Sequence, residues 1–323
     1  MRVRDFIDGC DVAQPLVVRQ AEVRRRRDGT EYLKLVFGDR TGSVEAVVRE
    51  EIPQARELCR PGEVVHVSGR YSRHPRYGPQ IGLDELRPAA EGEYEVDELV
   101  DGPPRSADQM ETDLRELLAT IQNPHLRRLL GLAFGEGTKT WAAYRDAPAA
   151  KYYHQAYRHG LLEHCLSVAQ AVSAISATFP GVDRDIAVTG ALLHDIGKLE
   201  AYRFEGGTIE MSDAGRLQGE IPLGYYRVRR AIERLGGFPP ELAQAVLHII
   251  LSHHGSLEHG SPVVPCTREA TLVHMVDNLG GRLGSFDRIE KELPAGAQWS
   301  AFDKGIGGGA YFAARAEPER EAA

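Results

Sequence analysis

Cysteine is scarce in this sequence, and its few copies stand far apart. The 323 residues include four cysteines, at positions 10, 59, 165 and 266. The absence of a Cys-x-x-Cys pair argues against both a thiolate zinc cage and a disulfide framework. We therefore expect reduced, structural cysteines, which are typical of the cytoplasm.

Long apolar runs are missing as well. The first residues, MRVRDFIDGC, lack the hydrophobic segment of a signal peptide, and nowhere do about 20 uncharged apolar residues, the length that spans a bilayer, follow one another. The sequence thus predicts neither secretion nor a membrane partner, and we expect a cytoplasmic protein. A hydrophobic content of 42% over this length is enough for two domains, each with its own core.

An excess of positive charge is the third missing feature. The formal net charge is -8, which argues against a protein coated with cations for indiscriminate nucleic-acid binding. The charges are unevenly placed, because residues 1–90 hold 16 basic and 14 acidic side chains whereas the remainder holds 23 and 33. The two parts of the chain therefore meet different electrostatic demands.

The first 90 residues carry short β-rich segments. Apolar and polar residues alternate in stretches such as EYLKLVF and GEVVHVSGRY, and hairpin-type breaks, RDGTEY and GDRTGS, separate them. Five strands of this kind predict a small closed barrel over residues 1–90, and the oligonucleotide-binding OB-fold is the first candidate. Another small β-barrel or sandwich that serves as a spacer fits the pattern equally well.

The composition changes after the barrel. Residues 91–107 are acidic and then proline-rich, which predicts a linker. The helical period dominates from residue 108 to residue 295, so we expect an all-α domain there. Residues 296–323 are glycine-rich and then charged, and we expect this tail to be poorly ordered.

Histidines and aspartates recur where apolar helices end. The segment ALLHDIGK places His194 and Asp195 at the end of a predicted buried helix. Adjacent residues at a frayed helix end can both turn toward one ion. Comparable positions in HGLLEHCLSV, HIILSHHGS and EATLVHMVDNL hold His164, His253, His254 and Asp277.

Any one of these histidines is better explained as a buried side chain that bonds a backbone carbonyl. Because such residues recur at several apolar-to-polar junctions, metal binding becomes the better explanation for the set. The pattern predicts a site for a divalent ion with nitrogen and oxygen ligands. No cysteine lies in a pattern with them, so a structural zinc cage is disfavoured. A mixed ligand set with open coordination positions suits metal-assisted hydrolysis.

Cations and aromatic residues mix in two parts of the barrel, VRRRRDGTEYLKLVFGDR and GRYSRHPRYGPQ. Cations follow phosphates and aromatic rings stack on bases, so the mixture predicts contacts with a single strand. The alternative places the aromatic rings, Phe37 among them, in the core, with the arginine run as a solvated turn. A third cluster, KYYHQAYRHG, suits a terminal nucleotide or the packed start of a helix. The candidates for nucleic-acid contact are Tyr32, Lys34, Arg70, Tyr71, Arg73, Tyr77, Tyr153 and His154.

Together these blocks resemble a known family. His164, the pair His194–Asp195 and Asp277 resemble the H…HD…D signature of the HD-domain metal phosphohydrolases. With the barrel in front, residues 10–290 are similar to the YhaM-type 3′-5′ exoribonucleases of bacteria. The resemblance implies an OB-fold followed by an HD domain. It also implies metal-dependent 3′-5′ hydrolysis of single-stranded RNA, with single-stranded DNA as a further substrate.

Two other functions stay open beside this one. An HD phosphohydrolase could act on a small or cyclic nucleotide and use the barrel for regulation. A non-catalytic RNA-binding protein could retain only a disabled metal site. Turnover of a phosphodiester separates the enzymes from the binding protein, and a preference for long strands separates the two enzymes.

The resemblance implies one or two divalent ions, with Mn first and Mg, Co, Fe or Zn as alternatives. Asp195 would bridge the two ions, and His253 or His254 would serve the second. The resemblance leaves open whether the protein forms a homo-oligomer. The implied ligands of the first ion are His164, His194, Asp195 and Asp277.

Three further positions enter through the resemblance. Lys198, implied to be catalytic with Asp195, would neutralise charge on the scissile phosphate, unless it is an ordinary cation at a helix end. Glu220 stands in GEIPLGYY where the family has a histidine. A carboxylate still ligates Mn or Mg but adds negative charge, so the second ion is less secure than the first. His159 stands where we expect a glycine, and we assign it no role.

Overall fold

The chain divides into two compact units, each with its own hydrophobic core. The computed structural model describes residues 1–26, 28–74, 78–90, 92–99, 102–151, 155–205, 208–293 and 297–313. One unit comprises Met1–Asp101 with Phe286–Ala323, and the other comprises Gly102–Ser285. Among the helices in the described ranges, none is both long and apolar enough to cross a bilayer.

Five strands of the first unit close into a barrel in the order β1-β2-β3-β5-β4. Strands β3 and β5 pair in parallel, and the other neighbours pair antiparallel. A short helix, α1 (Ile52–Leu58), lies between β3 and β4 in the chain. This architecture confirms the predicted five-stranded OB-fold barrel. The strands are β1 (Asp11–Arg25), β2 (Glu31–Asp39), β3 (Gly42–Val48), β4 (Val64–His74) and β5 (Gly78–Pro88).

Alternation along β2 sorts its side chains between the barrel core and its surface. Leu33, Leu35 and Phe37 are fully buried, because every second side chain of a strand faces the same side. The turn into β3 is closed by Asp39, whose carboxylate accepts from the backbone N–H of Thr41 at 2.7 Å. The predicted break GDRTGS is therefore a hairpin turn held by its own aspartate.

The second unit is built almost entirely from helices. Several begin at side-chain caps, as where Asn123 accepts from the N–H of Leu126 and Asp183 accepts from that of Ile186. The helices are α2 (Val96–Leu99), which belongs to the first unit, α3 (Ala107–Ala119), α4 (Pro124–Phe134), α5 (Lys139–Asp146), α6 (Gly160–Ser176), α7 (Arg184–Leu193), α8 (Lys198–Ala201), α9 (Asp213–Gln218), α10 (Glu220–Leu235), α11 (Pro240–Ser252) and α12 (Arg268–Glu292).

Helices α6, α7 and α11 contribute to the helical core, and most of their apolar residues are buried. Helices α7 and α11 approach closely at Gly190. A Cβ atom at that position would overlap the side chain of Ile249. The contact explains why a glycine stands inside α7, where it would otherwise weaken the helix.

Three short elements depart from the sequence expectations. The predicted linker contains α2, and a hairpin of β6 (Tyr202–Glu205) and β7 (Thr208–Met211) interrupts the helical domain. The glycine-rich tail, expected to be poorly ordered, contains a second hairpin of β8 (Trp299–Asp303) and β9 (Gly308–Tyr311). Asp303 stabilises this hairpin, because it accepts from the N–H of Gly305 at 2.8 Å and binds Arg288 at 2.6 Å.

Candidate metal centre and nucleic-acid interface

Two helices of the second unit end in paired polar residues at the same place. His194 and Asp195 follow the last residue of α7, and His253 follows the last residue of α11. The contact between Gly190 and Ile249 lies four residues before each histidine. This common register brings the two imidazoles together, with ring centroids 4.8 Å apart.

Helices α6 and α12 bring further ligand candidates to this point. The Nε2 atom of His164 lies 3.1 Å from Asp277 Oδ1, 3.3 Å from Asp195 Oδ2 and 3.2 Å from Nε2 of His194. His194, His164 and Asp195 are buried, and Asp277 is half-buried. Five predicted ligands from four helices thus form one cluster, which we call the metal centre: His164, His194, Asp195, His253 and Asp277.

Backbone carbonyls orient two of the imidazoles. Nδ1 of His194 lies 2.7 Å from the carbonyl oxygen of Ala191, and Nδ1 of His253 lies 2.8 Å from that of Ile250. A carbonyl only accepts hydrogen bonds, so each Nδ1 carries the proton and each Nε2 presents a lone pair to the cluster. An outer hydrogen bond of this kind fixes the tautomer of a metal-binding histidine.

Two buried polar atoms in the cluster support a metal ion. Oδ1 of Asp195 and Nε2 of His253 are buried 3.5 Å apart, and neither has a hydrogen-bond partner in the described part of the chain. Leaving such atoms unsatisfied costs about 1–3 kcal/mol each. The ligand atoms of two groups also lie within 4.8 Å of one another, which suits a shared ion: His164, His194 and Asp195, and His194, His253 and Asp277.

The electric field of the cluster favours a cation. Burial alone would lower the pKa of His164, but hydrogen bonds to Asp195 and Asp277 outweigh it and raise that pKa to about 9. Burial alone would raise the pKa of Asp195, but Lys198 and His194 hold it well below its usual range. The two carboxylates that retain a proton on His164 are thus able to retain a metal ion in its place.

Lys198 is part of the cluster's ion-pair network. Its Nζ atom donates to Asp195 Oδ2 at 2.6 Å, and its side chain is mostly buried. Burial would lower the pKa of Lys198, but the ion pair with Asp195 raises it. Lys198 is the first residue of the four-residue helix α8, five residues after the end of α7.

Glu220 and His254 form a second pair beside the metal centre. Nε2 of His254 lies 3.8 Å from Glu220 Oε1, and the His254 ring lies 4.4 Å from that of His253. Burial and the neighbouring His253 lower the pKa of His254. The structure therefore places Glu220 next to a predicted ligand, although neither residue belongs to the two compact ligand groups found among the described residues.

Gly197 positions the start of α10, and the sequence analysis gave it no role. A Cβ atom at Gly197 would overlap the carbonyl oxygen of Glu220 and lie 2.9 Å from the Cα of Gly224. The turn after His194–Asp195 thus packs backbone against backbone on the first turn of α10. The signal for this contact was the glycine in HDIGK, but its partner was not readable from the sequence.

His159 has a structural explanation. It precedes α6 with a φ of 68°, in the left-handed region that glycine adopts most easily. Its Nδ1 atom lies 2.6 Å from the carbonyl oxygen of Arg145. A glycine is expected there because of the backbone conformation, and the hydrogen bond helps a histidine to occupy it.

The predicted nucleic-acid contacts of the barrel divide into several groups. Tyr71 is buried in the barrel core and packs edge-on against Phe6, with centroids 5.4 Å apart. This burial corrects the expectation that Tyr71 stacks on a base, because its side chain faces inward on β4. Phe37 is likewise in the core. Tyr77, Tyr153 and His154 lie outside the described residues.

The remaining barrel candidates lie on the outside. Tyr32 and Lys34 share the outer face of β2, where Arg26 lies over the Tyr32 ring and Lys34 pairs with Glu45. Arg70 is exposed and donates to the carbonyl oxygen of Gly9 at 2.9 Å. Arg73 is also exposed. Lys34 and Arg70 are thus held by acidic neighbours, Glu45 and Asp11, whereas no ion pair is found for Arg73 among the described residues.

Comparison with known proteins agrees with both units. Residues 17–89 match a family model described as an OB-fold nucleic acid binding domain, and residues 161–281 match the HD domain. The 3′-5′ exoribonuclease YhaM of Geobacillus sp. is 30% identical over 271 residues, which cover 83% of this chain and 81% of that protein. The chain belongs to the YhaM family. The YhaM protein of Bacillus subtilis is 28% identical over 291 residues, covering 89% of this chain and 90% of its own.

Membership of the YhaM family confirms the resemblance drawn from the sequence blocks and the predicted order of the two domains. All five residues of the metal centre lie inside the HD-domain match, as do Lys198, Glu220 and His254. The candidate strand contacts of the barrel, from Tyr32 to Arg73, lie inside the OB-fold match.

Proposed function

We propose that this chain is a metal-dependent 3′-5′ exoribonuclease that hydrolyses single-stranded RNA. The observation that carries the proposal is the metal centre, in which buried nitrogen and oxygen atoms converge and two of them have no partner among the described residues. Relatives that match both units are named 3′-5′ exoribonucleases, and they supply the direction and the substrate. The OB-fold supports a polymer as the substrate.

A first ion would be held by His164, His194, Asp195 and Asp277. When bound, a divalent ion supplies Lewis acidity and lowers the pKa of water at its open positions. The two oxygens of Asp195 face different partners, since Oδ2 is near His164 and His194 and Oδ1 is near His253. We propose that a second ion would be held by His253, His254 and Glu220 together with Asp195.

Lys198 would act on the phosphate. Its ammonium is held by Asp195 at the edge of the cluster. A phosphoryl oxygen that reaches the cluster would accept a hydrogen bond from this ammonium. Neutralising charge that develops in the transition state is the catalytic use of such a group.

The donor set favours hard or borderline ions. Imidazole and carboxylate ligands suit Mn, Mg, Co, Fe and Zn, and the carboxylate of Glu220 shifts the second position toward Mn or Mg. We propose Mn as the working ion and the cytoplasm as the working compartment. On the barrel, Tyr32, Lys34, Arg70 and Arg73 would contact the strand, and Tyr77, Tyr153 and His154 stay predictions.

The experiment incubates 5′-labelled single-stranded RNA and DNA with the chain and Mn, Mg, Co or Zn, and resolves the products by length. A 3′-5′ exonuclease yields a ladder of labelled strands that shorten with time, whereas attack from the 5′ end releases the labelled mononucleotide at once. The Asp195→Asn variant is the control for contaminating nucleases. Hydrolysis of mononucleotide esters or cyclic nucleotides without a ladder would instead identify a small-nucleotide phosphohydrolase. RNA binding without any turnover would identify a binding protein.

A further inference from the structure

Positive charge in the helical unit is concentrated on one pair of helices. Helices α4 and α10 together carry six arginines and two glutamates, whereas the rest of Gly102–Ser285 carries 12 basic and 18 acidic side chains. The two helices contact each other, and Leu126, Leu129, Val228 and Ile232 are buried in the common core of the unit. Five of the six arginines are exposed, and Arg227 is half-buried.

Helix α10 leads away from the metal centre. It begins at Glu220, which lies 3.8 Å from His254. Arg227 and Arg234 follow Glu220 by seven and fourteen residues, so all three lie along one side of the helix. At about 1.5 Å per residue, Arg234 is about 21 Å from Glu220 along the axis, which is the length of about six stacked nucleotides.

An exposed aromatic ring stands beside this row of arginines. Tyr226 is 57% exposed, and the guanidinium of Arg230 lies 5.5 Å from the centre of its ring. A ring paired with a cation offers a base a stacking partner and a phosphate a counter-charge. RNA can contact both groups, through a base on the tyrosine and a phosphate on the cation, whereas an acidic protein surface would pair with the cation alone.

Some of the arginines are engaged elsewhere, and others are available. Arg128 donates to the carbonyl oxygen of Leu235 at 2.7 Å, Arg229 pairs with Glu233 and Arg227 pairs with Glu200. Arg127, Arg230 and Arg234 are exposed, and within the described ranges no acidic side chain forms an ion pair with them.

We propose that the helical unit has an RNA-binding surface of its own, made by Tyr226, Arg230 and Arg234, which follow one another at intervals of four residues on α10. It binds the RNA strand upstream of the nucleotide that is cleaved at the metal centre. The inference rests on the proposed exoribonuclease function. It adds a second binding surface, on the catalytic unit itself, to the one predicted on the barrel.

The test measures binding of a fluorescein-labelled 12-nucleotide RNA to the full chain by anisotropy, in an Asp195→Asn background that prevents degradation. Arg230→Gln with Arg234→Gln should weaken binding about tenfold at 0.1 M salt. The pair should also reduce the slope of log K against log salt by about 1.4, because each phosphate contact on a single strand contributes about 0.7. Tyr226→Ala should weaken binding about fivefold or more, with little change in the salt slope.

Arg229→Gln is the matched control. It removes a positive charge from the same helix, but at a residue that already forms an ion pair with Glu233 at 2.7 Å. Activity is measured with Asp195 restored and Mn present, as kcat/KM for the 12-mer divided by kcat/KM for a dinucleotide. This ratio should fall in the Arg230→Gln/Arg234→Gln double variant. It should stay near the wild-type value in Arg229→Gln. If the wild-type chain forms no product ladder, the proposed function fails whatever the variants do. If it forms the ladder and the double variant matches Arg229→Gln in affinity, salt slope and length ratio, the RNA surface on α10 is overturned.

Discussion

The candidate functional residues of the helical unit are easier to recognise from the sequence than those of the barrel. In the helical unit the candidates are polar groups placed inside apolar sequence, as at His194 and His253, and the structure buries them together. In the barrel they are cations and aromatic rings on a surface, where such residues are common. Burying a polar group is costly unless it is satisfied, so an interior histidine is an informative signal. A surface arginine or a strand tyrosine carries much less information.

Tyr71 shows the consequence. The sequence analysis grouped it with Arg70 and Arg73 because the three stand together in GRYSR. Adjacent side chains on a strand face opposite sides, so Tyr71 faces the core whereas its neighbour Arg70 is exposed. Arg73 has the same parity as Tyr71 but lies next to the end of β4, where it is exposed. Val65, Val67 and Tyr71 are all buried, so the period of two runs unbroken along β4, and the inward position of Tyr71 could have been counted from the sequence.

The largest expected effect comes from removing the centre of the helical unit's site. Replacing His194 and Asp195 together with alanine should abolish metal binding and reduce hydrolysis at least about 10³-fold, because both residues belong to the ligand groups. RNA binding should persist, since the barrel does not depend on the ion. Metal content by mass spectrometry and RNA binding by anisotropy provide the check, with EDTA-treated wild type as the reference. Undiminished hydrolysis in the double variant would refute the metal assignment.

A pair of barrel tyrosines sharpens the contrast between core and surface. Tyr71→Ala should destabilise the barrel by about 3–5 kcal/mol, because it empties a packed position beside Phe6. Tyr32→Ala should leave the stability within about 1 kcal/mol and weaken RNA binding by about 1–3 kcal/mol. Urea denaturation and anisotropy on both variants separate the effects. Equal loss of stability in the two would show that Tyr32 is also a core residue.

Gly197→Ala tests how the helical unit holds Glu220 next to the metal centre. The added methyl group meets backbone atoms of Glu220 and Gly224, which have little freedom to move, so we expect a loss of about 2–3 kcal/mol in stability and weaker binding of a second ion. Gly131→Ala is the control, since a Cβ there has open space within α4. That change should instead stabilise the chain by about 0.5–1 kcal/mol. If both variants behave alike in urea denaturation, the backbone contact at Gly197 is not tight.

Substitutions of Glu220 should have the smallest effect on the fold and a selective one on metal binding. Glu220→Ala should weaken the second ion by about tenfold or more and leave the first, which keeps its own ligands. Glu220→His should shift the preference from Mn or Mg toward ions that favour imidazole. Metal stoichiometry and metal-dependence curves for the three proteins provide the measurement. Identical curves would make Glu220 an ordinary carboxylate at the start of α10, and a one-ion mechanism would follow.

Much of the fold was predictable because periodicity and turn residues are local signals. The barrel strands follow alternation that is written in β2 and β3, and the breaks follow Asp39 and its neighbours. The hairpin of β8 and β9 was missed because its glycine-rich composition matches that of a disordered tail. Its order depends on contacts such as that between Arg288 and Asp303, which are distant enough in sequence to leave no local pattern.

The sequence by itself determined the order of the two domains and the identity of the metal-binding candidates. These follow from patterning and from the chemistry of side chains that are placed where polar groups are costly. Tertiary structure alone decided that Gly190 meets Ile249, which sets His194 beside His253, and that Gly197 meets the first turn of α10, which sets Glu220 beside His254. It also decided that α4 and α10, which together carry six arginines, contact each other. Such facts depend on which helix packs on which and in what register, and packing is a property of pairs of elements that no single segment of sequence contains.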